Sequence, residues 1–185
     1  MLPTSLLIRR CVLPFAMVAG VNCASAQGPK NPSAQASSAS QGIGTLSSRG
    51  LGPVRLGMSE VQVRAAFRSA LKVRDSGPEG CLSLVTSTGD VAFVLQHDKL
   101  RLVDVQAPGI ATRSGLAVGM PFEQVKKALG TELVIGTNFY DDATVEAIVW
   151  EADRRHGVLF EARDGLVTAI RAGDKALEWV EGCGV

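Results

Sequence analysis

Hydrophobic and polar positions along the chain fall into two similar series, each opening with a helical period and passing to an alternating one. The first helical series is Val63, Ala66, Phe67, Ala70 and Leu71, spaced to lie on one face of a helix. The second carries Phe122, Val125 and Leu129, with Gly130 placed to end it. Ser59 can cap the first helix, and Gln62 completes a reciprocal capping box, while Met58 can pack on Val63 as a staple. Pro121 suits the first turn of the second helix. Leu56-Gly57-Met58-Ser59-Glu60-Val61-Gln62-Val63 aligns with Val118-Gly119-Met120-Pro121-Phe122-Glu123-Gln124-Val125, the two glycines lying 62 positions apart. The chain therefore reads as a tandem repeat.

Strand patterns follow each helix. Residues 75–80 read as a turn-rich loop, 82–86 as a strand and Thr88-Gly89-Asp90 as a turn. Residues 91–97 and 100–105 form a hairpin expected to turn at Asp98-Lys99, and Pro108-Gly109 closes the first repeat. In the second, 133–136 reads as a short strand, 144–150 alternates, and 158–162 and 166–171 flank Asp164-Gly165, a type I′ turn signal. The expected fold is α+β: two tandem helix-plus-antiparallel-sheet modules sharing one sheet, with both helices on one face. The other face stays partly open to water or a partner. The first module is placed at 49–110 and the second, with the C-terminal tail, at 111–185. Residues 27–48, rich in Ser, Ala, Gln, Gly and Pro, read as a disordered leader.

The N-terminus changes the compartment. Arg9 and Arg10 precede an apolar run at 11–21 that is too short to span a bilayer as a helix. Ala24-Ser25-Ala26 follows, a small-residue cleavage pattern, so 1–26 reads as a signal peptide cleaved near Ala26. The mature chain is expected to be periplasmic or secreted, with no transmembrane segment. Acylation of Cys23 is the less favoured alternative, because Asn22 is bulky and polar where such sites carry a small residue. Cleavage removes two arginines and no acid, leaving 17 basic against 18 acidic side chains, a net charge of −1. No basic field remains to hold nucleic acid. Cys81 and Cys183 remain as a pair in an exported chain, where a disulfide is the expected state. Closing that loop would stabilise the fold by about 4.7 kcal/mol on the chain-entropy account.

Candidate chemistry is sparse. No catalytic constellation, metal site or cofactor motif is expected. His97 and His156 read as ordinary surface or turn residues, since neither has a second His or Cys at ligand spacing. Asp141-Asp142 could bind calcium or act as acid and base, but no loop signature supplies further oxygens, so a solvated loop is favoured. The stretch with recognition character is Asn138-Phe139-Tyr140-Asp141-Asp142, where aromatics stand beside amide and acidic groups. For Phe139 a place in the core is the favoured alternative, and for Tyr140 core and interface balance. Trp150 and Trp179 read as core and tail-docking residues.

The Gly57-Met58-Ser59 and Gly119-Met120-Pro121 elements, each with Gln and Val following and an antiparallel meander behind, resemble the β-lactamase inhibitory protein fold. They are similar too to the small lipoprotein of the outer-membrane assembly machine. The resemblance covers most of 52–171. It implies a tandem of two modules that grips a protein partner with aromatic and acidic loop residues on an open sheet face. The function expected is an exported, non-catalytic protein-binding module, an inhibitor or envelope partner. The alternative is a structural or assembly component of the bacterial cell envelope. A hydrolase or carbohydrate-binding domain is a third class, disfavoured by an aromatic content of 5%, too low for a sugar-stacking platform.

Overall fold

The computed structural model describes residues 43–77 and 80–179, all within one compact unit. Three two-residue strands, β1 (Leu46–Ser47), β2 (Gly50–Leu51) and β3 (Val54–Arg55), form a small antiparallel sheet. Leu46, Leu51 and Val54 of that sheet are fully buried. The leader boundary drawn at residue 48 is therefore too late: Leu46 is already core, and its amide donates to Ala111 O at 3.0 Å. Residues 27–42 lie outside the described residues.

Helix α1 (Glu60–Ala66) starts as expected, with Ser59 and Gln62 making both arms of the capping box. It ends earlier than its apolar stripe. Arg68 adopts φ 45°, a left-handed conformation that breaks the helical run. Ala70 lies beyond the helix, and Leu71 opens strand β4 (Leu71–Gly77), which replaces the first half of the loop expected at 75–80. Three more strands complete this half: β5 (Cys81–Thr86), β6 (Val91–Gln96) and β7 (Lys99–Val105). The β6–β7 turn falls one residue earlier than expected, with His97 and Asp98 both at positive φ.

Helix α2 (Phe122–Leu129) has Pro121 at its cap position, just outside the first turn, and ends at Gly130 with φ 54°. Then come β8 (Val134–Thr137), β9 (Thr144–Trp150), β10 (Gly157–Arg163) and β11 (Leu166–Gly173). Asp164 and Gly165 carry the two positive φ angles of a type I′ turn. A 3₁₀ turn, Lys175–Glu178, follows the last strand.

Strands β4 to β11 make one antiparallel sheet in the order β4-β5-β6-β7-β11-β10-β9-β8. The halves meet last strand to last strand, with Ile170 opposite Val105 and Ala172 opposite Val103. Val63 and Phe67 of the first half and Phe122 and Val125 of the second share one core cluster with Phe93, Val103, Phe160 and Ile170. A smaller cluster, Val94, Leu102, Leu159, Ala176 and Leu177, takes in Trp150 and Trp179 at its margin. The 3₁₀ turn thus covers part of the sheet through Ala176 and Leu177.

The two Gly-Met elements make the same contacts. Gly57 N donates to Leu100 O and Leu100 N returns a bond to Met58 O; Gly119 N donates to Val167 O and Val167 N to Met120 O. Each methionine sulfur accepts a backbone N–H three residues upstream, from Arg55 and from Ala117. Gly57 and Gly119 sit at φ 83° and 88°, which an L side chain rarely adopts. An added Cβ would meet nothing within 4 Å at either position, so the requirement is conformational.

Candidate functional site

Strand β8 is one edge of the large sheet and β4 the other. The two edges are built differently. β4 carries Lys72, Arg74 and Asp75 and an irregularity between Val73 and Asp75, devices that discourage a further strand. β8 is Val-Ile-Gly-Thr, regular and exposed along its length, with Val134 and Ile135 each about half exposed. Directly beyond it, Phe139 is 77% and Tyr140 62% exposed, their rings edge to face at 5.1 Å. Phe139 is therefore not a core residue, contrary to the expectation from its size.

Polar residues of the loop hold it in that pose. Asn138 Nδ2 donates to Glu146 Oε1 at 2.6 Å, and Asn138 Oδ1 accepts from Tyr140 N at 2.9 Å. Asp141 accepts from Ala143 N and from Thr144 Oγ1, and pairs with Arg163 at 3.0 Å. Thr144 Oγ1, then the Ala143 amide and Arg163, hold its carboxyl below the usual range. Both Asp141 oxygens are thus engaged within the chain. Asp142 beside it is exposed.

A polar row runs from this loop across the sheet. Glu146 lies opposite Glu161 on β10, and Arg171 on β11 lies opposite Asp104 on β7. Arg171 Nη2 is 2.7 Å from Glu161 Oε1, without hydrogen-bond alignment, and Arg171 Nε is 3.9 Å from Asp104 Oδ1. Asp104 Oδ2 accepts from Gln106 Nε2 at 2.7 Å. Burial pushes the Asp104 carboxyl above its ordinary value, against the pull of Arg171, Gln106 and Arg74. Burial raises Glu161 as well; Arg171 opposes this, while the charges of Asp104 and Glu146 add to it. Sequence reasoning missed this row because its members stand singly on four different strands.

A raised carboxyl means that the folded state holds more protons than the unfolded chain between the ordinary and the raised pKa. Stability therefore falls as pH rises through that window, starting near 3.8 for Asp104, and the cost persists above it. Asp104→Asn removes this term. The variant is expected to gain on the wild type as pH rises from about 4 towards neutrality. Urea unfolding over a pH series checks this, and parallel profiles would refute it.

Beside the edge, Val134, Ile135, Ile148, Trp150, Leu159 and Leu177 line a groove of about 210 Å³, with Glu146 and Glu178 contributing carboxylates. Its floor is apolar and its charge negative. A second cleft of about 730 Å³ lies near the small sheet, lined by Arg49, Arg55, Arg113, Glu151 and several hydroxyls. At its rim, Glu151, Asp153 and His156 bring one potential ligand atom each within 4.8 Å of one another. The group has no second His or Cys to mark it in the sequence, and a Glu-x-Asp-x-x-His spacing converges only when the chain reverses in a hairpin.

Cys81 opens β5, and Cys183 lies outside the described residues. His97 sits in the β6–β7 turn. Among the described residues no helix is long and apolar enough to cross a membrane.

No protein-family model matches the chain, and no curated protein matches it significantly. Among solved structures it is similar to the crystal structure of an extracellular protein containing a SCP domain from Bacillus anthracis str. Ames. The TM-score is 0.46 at 10% sequence identity, over 66% of this chain and 45% of that one. The chain thus spans less than half the length of that structure.

Proposed function

We propose that this protein is an exported, non-catalytic protein-binding module that recognises its partner along the β8 edge and the 138–142 loop. The observation that carries this reading is the exposed, internally braced Phe139–Tyr140 pair continuing the unprotected edge strand. Exposed aromatics held on a pre-organised loop lose little entropy on binding, which makes them efficient anchors. The N–H and C=O groups on the side of β8 away from β9, which no described strand pairs, can add a partner strand. The groove beside it, apolar with two carboxylates, fits an apolar side chain next to a lysine or arginine.

The same reading takes the fold as two tandem modules with both helices on one face. The repeated bonds of the Gly57-Met58 and Gly119-Met120 elements support it, as does the core cluster that both helices share. Export rests on the signal-like segment 1–26, with the mature chain periplasmic or secreted. We also assign a Cys81–Cys183 disulfide; its support is that Cys81 is disulfide-bonded and that Cys183 is the other cysteine left once 1–26 is removed. Non-reducing peptide mapping should recover that pair.

Affinity capture from envelope and culture fluid, with the purified protein as bait, tests the functional reading. One protein retained stoichiometrically fits an inhibitor or dedicated partner. Several outer-membrane proteins retained together would instead fit the envelope-assembly role. A substrate turned over by the purified protein would refute the non-catalytic reading.

A further inference from the structure

We propose that Glu151, Asp153 and His156 form a site for one first-row divalent transition-metal ion, in which the Arg49 guanidinium is an exchangeable internal cation. The inference is independent of the partner-binding surface.

The hairpin geometry creates the site. Trp150 and Gly157 are the last paired residues of β9 and β10, so Glu151 and His156 face each other across the mouth of the turn. Glu151 N donates to His156 O at 2.8 Å, and Arg154 N to Glu151 O at 2.8 Å. Arg154 takes φ 55°, which reverses the chain beside Asp153. The three donor atoms then lie within 4.8 Å of one another. Ligands at about 2.0–2.2 Å from one ion stand about 3.0–3.5 Å apart, a closure that side-chain rotation at the exposed Asp153 supplies.

His156 Nδ1 provides a second, independent observation. The atom is buried, within a side chain 22% exposed, and has no hydrogen-bond partner among the described residues. It stands 3.7 Å from Glu151 Oε2, too far for a hydrogen bond and close to the spacing of two ligands on one ion. A buried ring nitrogen left unpaired costs free energy that a bound ion would recover. One imidazole nitrogen with two carboxylate oxygens suits Zn²⁺, Co²⁺ or Mn²⁺ better than Ca²⁺, which takes an all-oxygen shell. Three protein ligands leave further positions open, and Glu151 faces the 730 Å³ cleft, a path for entry.

Arg49 is the competitor. Its Nη2 lies 2.5 Å from Glu151 Oε2 and its Nε 3.1 Å from Oε1, with Asp153 Oδ2 at 4.0 Å. Ser48 Oγ donates to the same carboxylate. The group therefore already attracts a cation, and this one is held by a side chain 57% exposed, whose release costs little. Metal binding would free the β1–β2 turn, which carries Ser48 and Arg49, from the β9–β10 turn.

The test is titration of tag-free protein with Zn²⁺ by calorimetry and with Co²⁺ by visible absorption, with Ca²⁺ alongside. One Zn²⁺ per chain is expected. Asp153→Asn, in an exposed turn, should weaken it at least about tenfold, and His156→Gln more. Arg49→Gln should tighten it about twofold to fivefold by removing the competitor. Co²⁺ should shift or broaden the His156 ring signals in the NMR spectrum. Absence of Zn²⁺ and Co²⁺ binding, Ca²⁺ binding of equal strength, or binding indifferent to Asp153→Asn and Arg49→Gln would each overturn the proposal. If His156→Gln does not fold, the other two variants decide.

Discussion

Phe93→Ala is expected to remove about 3–5 kcal/mol of folding free energy, the usual cost of truncating a buried phenylalanine. Phe93 is fully buried on β6 and meets Phe67 edge to face at 4.8 Å, where α1 ends against the sheet. Truncation loses the transfer free energy of the ring, the aromatic contact and the packing of a site whose rigid neighbours cannot collapse into the gap. A domain of this size is stable by only about 5–15 kcal/mol, so the loss is a large share of the total. The midpoint of thermal unfolding should fall by roughly 10–15 °C. Differential scanning calorimetry measures it, and a shift of a degree or two would mean that Phe93 does not join α1 to the sheet as described.

The hairpin that carries Phe93 was legible in the sequence because its surroundings obey short-range rules. Residues 91–95 are an unbroken apolar run that ends at a turn, and the capping box of Ser59 and Gln62 is made within one turn. The repeat at Gly57 and Gly119 was readable for the same reason, since the φ of each glycine is a local demand. Where tertiary contacts decide, the sequence was silent. Strand β4 was missed because its alternation, Leu71-Lys72-Val73-Arg74, is short and stops at Asp75, and because Ala70 and Leu71 continue a helical stripe that Arg68 interrupts. The small sheet was missed because its two-residue strands lie in glycine-rich chain and are fixed by distant partners, as Leu46 is by Ala111.

Of the candidate site, the loop was legible by its composition, but its exposure was not. Phe139 looked like a core residue because a chain poor in aromatics generally buries the ones it has. Its outward position follows from two facts that only the fold supplies. The loop continues the outermost strand, and Asn138 and Asp141 brace it through Glu146, Thr144 and Arg163.

Joint replacement of Phe139 and Tyr140 by alanine carries the second large effect. Anchor residues cost about 2 kcal/mol or more each on truncation, about 30-fold in Kd, so the double variant should bind at least about a hundredfold more weakly. Folding should hardly change. Both rings are exposed and stand outside the two core clusters, so each truncation should stay within about 0.5 kcal/mol in stability. The opposite signature, a lowered melting temperature with binding retained, would assign the pair a structural role.

Replacing Asn138 by alanine separates anchor from brace. It removes the bond to Glu146 and the bond from the Tyr140 amide while leaving both rings in place. Binding should weaken about fivefold to tenfold, through lost pre-organisation rather than lost contact. Association rates and affinities measured in parallel would check this.

The central claim is that the β8 edge and its aromatic loop form a protein-binding surface. Quantitative capture tests it most directly, with wild type and the Phe139→Ala/Tyr140→Ala variant as parallel baits and their melting temperatures matched. The account predicts a protein retained by the wild type and lost from the double variant. Equal recovery on both baits, with both folded, would contradict it.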